Sequence, residues 1–135
     1  MKSLTLTKAF AHYGAKLKNV RWAYSDIVPN GPMVVSCWSG YLRPKATSGF
    51  RYEVNDFSRW SSNPMGKKLL KEHLSQALRD GLQVRMVLAE QENPKAVIAG
   101  VDGSKIRKTI RVQDDLVGSV VELTDKRFVI DFRKV

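Results

Sequence analysis

The stretch Ser61-Ser-Asn-Pro-Met-Gly-Lys-Lys-Leu-Leu-Lys-Glu-His-Leu-Ser-Gln-Ala-Leu-Arg-Asp-Gly81 is the one long helix candidate in this chain, and the rest must be arranged around it. Asn63 suits an N-cap, and Pro64 suits the first helical position, where its missing N–H costs nothing. Leu70, Leu74, Ala77 and Leu78 recur at helical spacing and predict one buried face. Gly81 supplies a left-handed stop, so the helix spans about 64–80. Its charge is placed oddly. Lys67, Lys68 and Lys71 crowd the first turns, where the positive end of the helix dipole disfavours each cation by roughly 0.3–1 kcal/mol. Anions bind well at such an end, so lysines there fit a site for phosphate.

Outward from the helix, strands dominate. Leu6 to Gly14 reads as a short helix, with Thr7 able to cap it and Phe10 and Tyr13 on one face. Val20–Val28 and Met33–Ser39 form a hairpin around Pro29-Asn-Gly-Pro32, because Asn-Gly tolerates positive φ and the prolines stop both strands. Residues 40–49, with Gly40, Pro44 and Gly49, read as an exposed basic loop, and Phe50–Val54 as a third strand. Leu82–Ala89 is apolar enough to be a central strand. Asn93–Gly100 reads as a turn of helix. Lys105–Val112 carries Ile106, Ile110 and Val112 on one face, with Lys108 marking an edge. Asp114-Asp115 turns the chain into a hairpin of Val117–Leu123 and Arg127–Arg133. The expected fold is α+β: a curved or barrel-like, mainly antiparallel sheet of about six or seven strands, one long helix and a short N-terminal helix. The length predicts a single domain over 1–135.

Charge is the strongest global signal. The net charge is +10, and residues 1–71 hold 12 Lys/Arg against three acids, whereas 72–135 hold 11 against 10. Ten of the 12 aromatic residues also lie at or before Trp60. Cations interleaved with flat aromatic faces match phosphates and bases. Buried aromatics and solvated charges are the plainer alternative; for the aromatics it is the stronger one, for the charge asymmetry the weaker.

Several chemistries lack their residues. Phosphate-loop, dinucleotide and nucleophile-elbow glycine motifs are missing, as are Cys-x-x-Cys and His-Glu-x-x-His. Cys37 is the single cysteine, which excludes an internal disulfide or a multi-cysteine zinc site and fits a reducing, cytoplasmic setting. No apolar run is long enough for a membrane span or a signal peptide core. Glu53 and Asp56 near Lys67 and Lys68 are the closest approach to a metal nuclease, and nothing fixes their spacing. His12 and His73 read as packing or surface residues, and Cys37 as buried and inert. No metal, cofactor or catalytic group is expected.

Two segments, Gly14-Ala-Lys-Leu-Lys-Asn-Val-Arg-Trp22 and Asp115-Leu-Val-Gly-Ser-Val-Val-Glu-Leu with Phe-Val-Ile-Asp-Phe-Arg133, resemble small basic bacterial proteins associated with mobile genetic elements. No activity is assigned to that group. The resemblance implies a bacterial, DNA-related setting and transfers no functional residues.

The expected function is therefore nucleic-acid binding, with DNA favoured over RNA. Phosphate contacts fall to Lys16, Lys18, Arg21, Arg43, Lys45, Arg51, Arg59, Lys67, Lys68 and Lys71, and base stacking to Trp38, Tyr41 or Trp60. Lys105, Arg107 and Arg111 form a secondary basic strand. The alternative is docking on an acidic protein partner, since such a surface mimics phosphate electrostatically. An enzyme acting on nucleic acid is the minor option.

Overall fold

The computed structural model describes residues 4–18, 23–45, 49–57, 64–91 and 108–135. Helix α1 (Leu6–His12) begins two residues earlier than the Thr7 cap predicts. Thr5 caps it instead, its hydroxyl accepting from the Lys8 amide. Strands β1 (Ser25–Ile27) and β2 (Met33–Trp38) form the expected antiparallel hairpin. In its turn Pro29 stands second and Asn30 third at φ 57°, the residue order of a type II turn, and the Gly31 amide donates to Val28 O at 2.8 Å.

A short 3-10 turn (Ser39–Tyr41) leads into β3 (Leu42–Pro44), which pairs with β4 (Phe50–Val54). Sequence gave no hint of β3: glycine, proline and cations read as a loop, and only the pairing makes it a strand. Pro44 is tolerated because β3 is an edge. Helix α2 (Pro64–Asp80) starts at its proline and is followed by Gly81 at φ 65°. Then come β5 (Val84–Gln91), β6 (Lys108–Val112), β7 (Leu116–Leu123) and β8 (Phe128–Lys134). The strand expected to begin at Lys105 is seen from Lys108, and its earlier residues, like the helical turn read at 93–100, lie outside the described residues.

The sheet runs β1-β2-β5-β7-β8-β4-β3, with β6 on the same side of β5 as β7. All pairs are antiparallel except β2–β5, which runs parallel over six residues from Met33↔Val84 to Trp38↔Ala89. Strand β5 is central, as its apolar run predicts. The expected fold needs two corrections: the described residues form eight strands, not six or seven, and among them the sheet does not close into a barrel. It does curl. In a flat sheet β2 and β3 would stand five strand spacings apart, about 24 Å. The chain from Trp38 to Leu42 spans at most about 14 Å. The curl also lets Tyr52 of β4 accept a hydrogen bond from the Trp38 amide at 3.0 Å.

The core lies on both faces: Phe10 of α1, Val34 and Val87 are fully buried on the convex side, and the larger part fills the concave face. Met33, Val35, Val84, Met86, Tyr52, Val54, Phe128, Ile130 and Phe132 are each at most 1% exposed. Helix α2 covers it from β1 to β7 with Gly66, Leu70, Leu74 and Ala77. Leu78, expected on that face, is 45% exposed, because its position lies well round the helix from the Leu70–Ala77 stripe. Gly118 is required by packing: a Cβ there would sit 2.6 Å from the Phe132 ring.

Candidate nucleic-acid interface

The sequence-predicted cations separate into two groups. Arg43, Lys45 and Arg51 gather on or beside the convex face of β3 and β4. Arg43 lies directly opposite Arg51, and Arg51 opposite Asp131 of β8. Like charges facing each other across a strand pair are unfavourable, and local groups offset them. Arg51 reaches Asp131 at 3.2 Å and Glu53 at 3.8 Å, Lys45 lies 3.9 Å from Asp131, and Arg43 donates to the carbonyls of Gly40 and Leu42. This group is largely spent on its own neighbours.

The second group surrounds α2 on the other side of the sheet. Lys67, Lys68 and Lys71 come from its first half. Lys71 donates to Asp125, at 2.5 Å, in the β7–β8 turn, where the next residue is Lys126. The Lys71 ammonium holds the exposed Asp125 carboxyl below its usual pKa. On the opposite flank, the loop after α1 brings in Lys16 and Lys18. The Lys16 amide donates to Asp26 of β1 at 2.9 Å. His73 of α2 shares a 2.7 Å hydrogen bond with the buried Ser25 of β1. Burial pushes the His73 pKa down, Asp26 and Glu72 pull it up, and the charge of Lys18 lowers it further. The charge of Lys18 is thus felt at His73 in the middle of α2.

Among the described residues Lys16, Lys18, Lys68 and Lys126 make no ion pair. Lys68, Lys71, Glu72, Ser75, Gln76 and Arg79 line a shallow groove of about 470 Å³ along the helix. Lys126 was missed in the sequence because it reads only as a turn residue, and its placement beside α2 is set by tertiary pairing.

The remaining candidates divide further. Trp38 is buried, 8% exposed, so its ring belongs to the core. Tyr41 is half-buried and meets the Tyr52 ring edge-on at 6.0 Å. Arg111 pairs with Glu90 across β5–β6. Arg21, Arg59, Trp60, Lys105 and Arg107 lie outside the described residues. Cys37 is buried, and burial pushes its thiol pKa well up. His12 contacts Asp114 at 2.6 Å, which ties α1 to the β6–β7 turn. Among the described residues there is no group of three His, Cys, Asp or Glu able to hold a metal, and no helix long and apolar enough to cross a membrane.

No family model matches the chain, nor does any curated protein or solved structure.

Proposed function

We propose that this protein binds nucleic acid, DNA in preference to RNA, by gripping phosphates with the surface around α2. The observation that carries this reading is the set of cations there, Lys16, Lys18, Lys68 and Lys126, which no carboxylate neutralises. Most described acids are already engaged by other cations, so the surplus of the +10 chain is left to face an external anion. Lys67 and Lys71 add to the same surface, and Asp125 holds Lys71 in place until a phosphate competes for it. Lys45 and Arg51 are secondary, because Asp131 and Glu53 already offset them, and so is Arg43, which is held by the Gly40 and Leu42 carbonyls. The preference for DNA and a mobile-element setting rest on the resemblance of the Gly14–Trp22 and Asp115–Arg133 segments, and a cytoplasmic setting on the single cysteine. An acidic protein partner would suit the same surface and is the second reading.

The test is a binding titration across a series of salt concentrations. With about five phosphate contacts, log K should fall with log salt at a slope near −4 to −5. Replacing Lys18, Lys68 and Lys126 together with Ala should weaken binding and flatten the slope by about 3, one per lost contact. An unchanged slope removes this surface from the interface. Absence of binding to any nucleic acid at low salt transfers the surface to an acidic protein.

A further inference from the structure

The groove along α2 shares one lining residue with a neighbouring recess. That residue is Gln76, and the recess is a second pocket of about 580 Å³, between the C-terminal end of α2 and the β1–β2 turn. The two have different chemistry. No charged side chain lines the second pocket; its walls are Val28, Pro32 and Leu82, and its polar groups are the amides of Asn30, Gln76 and Gln83. Phosphate is disfavoured there, because the C-terminal end of a helix carries the negative pole of its dipole. A flat, neutral group with a hydrogen-bonding edge meets no such penalty. Side-chain amides pair with base edges, since each offers one acceptor and two donors. Lys71 and Gln76 are separated by about 7.5 Å of helix rise, a distance that a nucleotide or two spans.

From this juxtaposition we infer that the pocket takes an unstacked nucleobase of a single-stranded DNA segment whose phosphates lie along the lysines of α2. Val28, Pro32 and Leu82 contact the base, and Asn30, Gln76 and Gln83 face its edge. A duplex base cannot enter without leaving its stack, so single strands are preferred over duplex of the same sequence. The inference rests on the phosphate reading for its orientation, but the pocket is testable without it.

Two measurements separate the two ideas. Titration of the full chain with the free nucleosides thymidine and deoxyadenosine, followed by amide chemical shifts, reads the pocket with no phosphate present. Shifts confined to Gly31, Gln83 and their neighbours are expected, whereas no movement there at millimolar nucleoside overturns the inference. The variant Gln83→Leu, at a residue that lines only the second pocket, is then compared with the parent on a single-stranded oligonucleotide and on its duplex. Single-strand affinity should fall about tenfold with the salt slope unchanged, and duplex affinity should hold. Equal affinity of parent and variant for the single strand also overturns it. If no oligonucleotide binds at low salt while the nucleosides still shift the pocket, the phosphate reading fails and the base site stands.

Discussion

Tyr52 does two jobs at one position. Its ring is fully buried against Phe128, with centroids 5.8 Å apart, and its hydroxyl reaches across the curl to the Trp38 amide. Tyr52→Phe keeps the ring and removes that acceptor, which should cost about 1–3 kcal/mol in a urea titration. A loss below a few tenths would mean the amide finds another partner. Arg43 and Arg51 show a different economy: facing each other, they are kept apart in role, one bound to backbone carbonyls and the other to Asp131 and Glu53. His73 makes stability depend on pH. Its folded pKa lies below the ordinary 6.5, mainly through burial. The unfolded chain therefore takes up the proton first, so its contribution is complete above about 6.5 and is lost as pH falls through the folded value. Between pH 7 and 5 the urea midpoint should drop more in the parent than in His73→Gln; parallel pH profiles would rule this out.

At the level of elements, local chemistry was legible and partnership was not. The β1–β2 hairpin, the α2 start at Pro64 and the alternation of Phe128, Ile130 and Phe132 are all written in short-range signals, and the structure keeps them. Strand β3 was hidden because its residues have turn chemistry and become a strand only by pairing with β4. The parallel β2–β5 pair was hidden for a deeper reason: nothing in either strand names its neighbour 50 residues away. Of the candidate site, the helix lysines were visible from their misfit with the dipole, whereas Lys126 and the Gln76–Gln83 pocket depend on elements that meet only in the fold. Strands β7 and β8 pair along most of their length. There Gly118 leaves room for a Phe132 ring that is 0% exposed and has nowhere to go, so Gly118→Ala should destabilise by about 1–3 kcal/mol. Calorimetry checks this, and a neutral result would mean the ring can shift. Gly49 is stricter, at φ 96° with a notional Cβ 2.1 Å from the Phe132 carbonyl oxygen. Val121 shows the opposite freedom. The register shift between Val120 and Glu122 places it outside the ladder, and it is 49% exposed.

For the whole molecule, charge is matched unevenly: Lys45 and Arg51 on the convex side face Asp131, and Lys71 and Arg79 of α2 have carboxylate partners, whereas Lys68 has none. The strand order has a further consequence, for synthesis. The ribosome releases β1 to β4 and α2 before any strand that joins the two hairpins exists. β2 must wait for β5, and β4 for β8, the last strand of the sheet. Until then the aromatic, basic half holds two short hairpins, each marginal alone in water. A fragment ending at Asp80 should accordingly give a disordered circular dichroism spectrum and no cooperative thermal transition, and a sharp transition in it would contradict this account. The nascent first half, with its surplus of nine positive charges, therefore leaves the ribosome as a cationic tether beside polyanionic RNA before it has a fold to shield it.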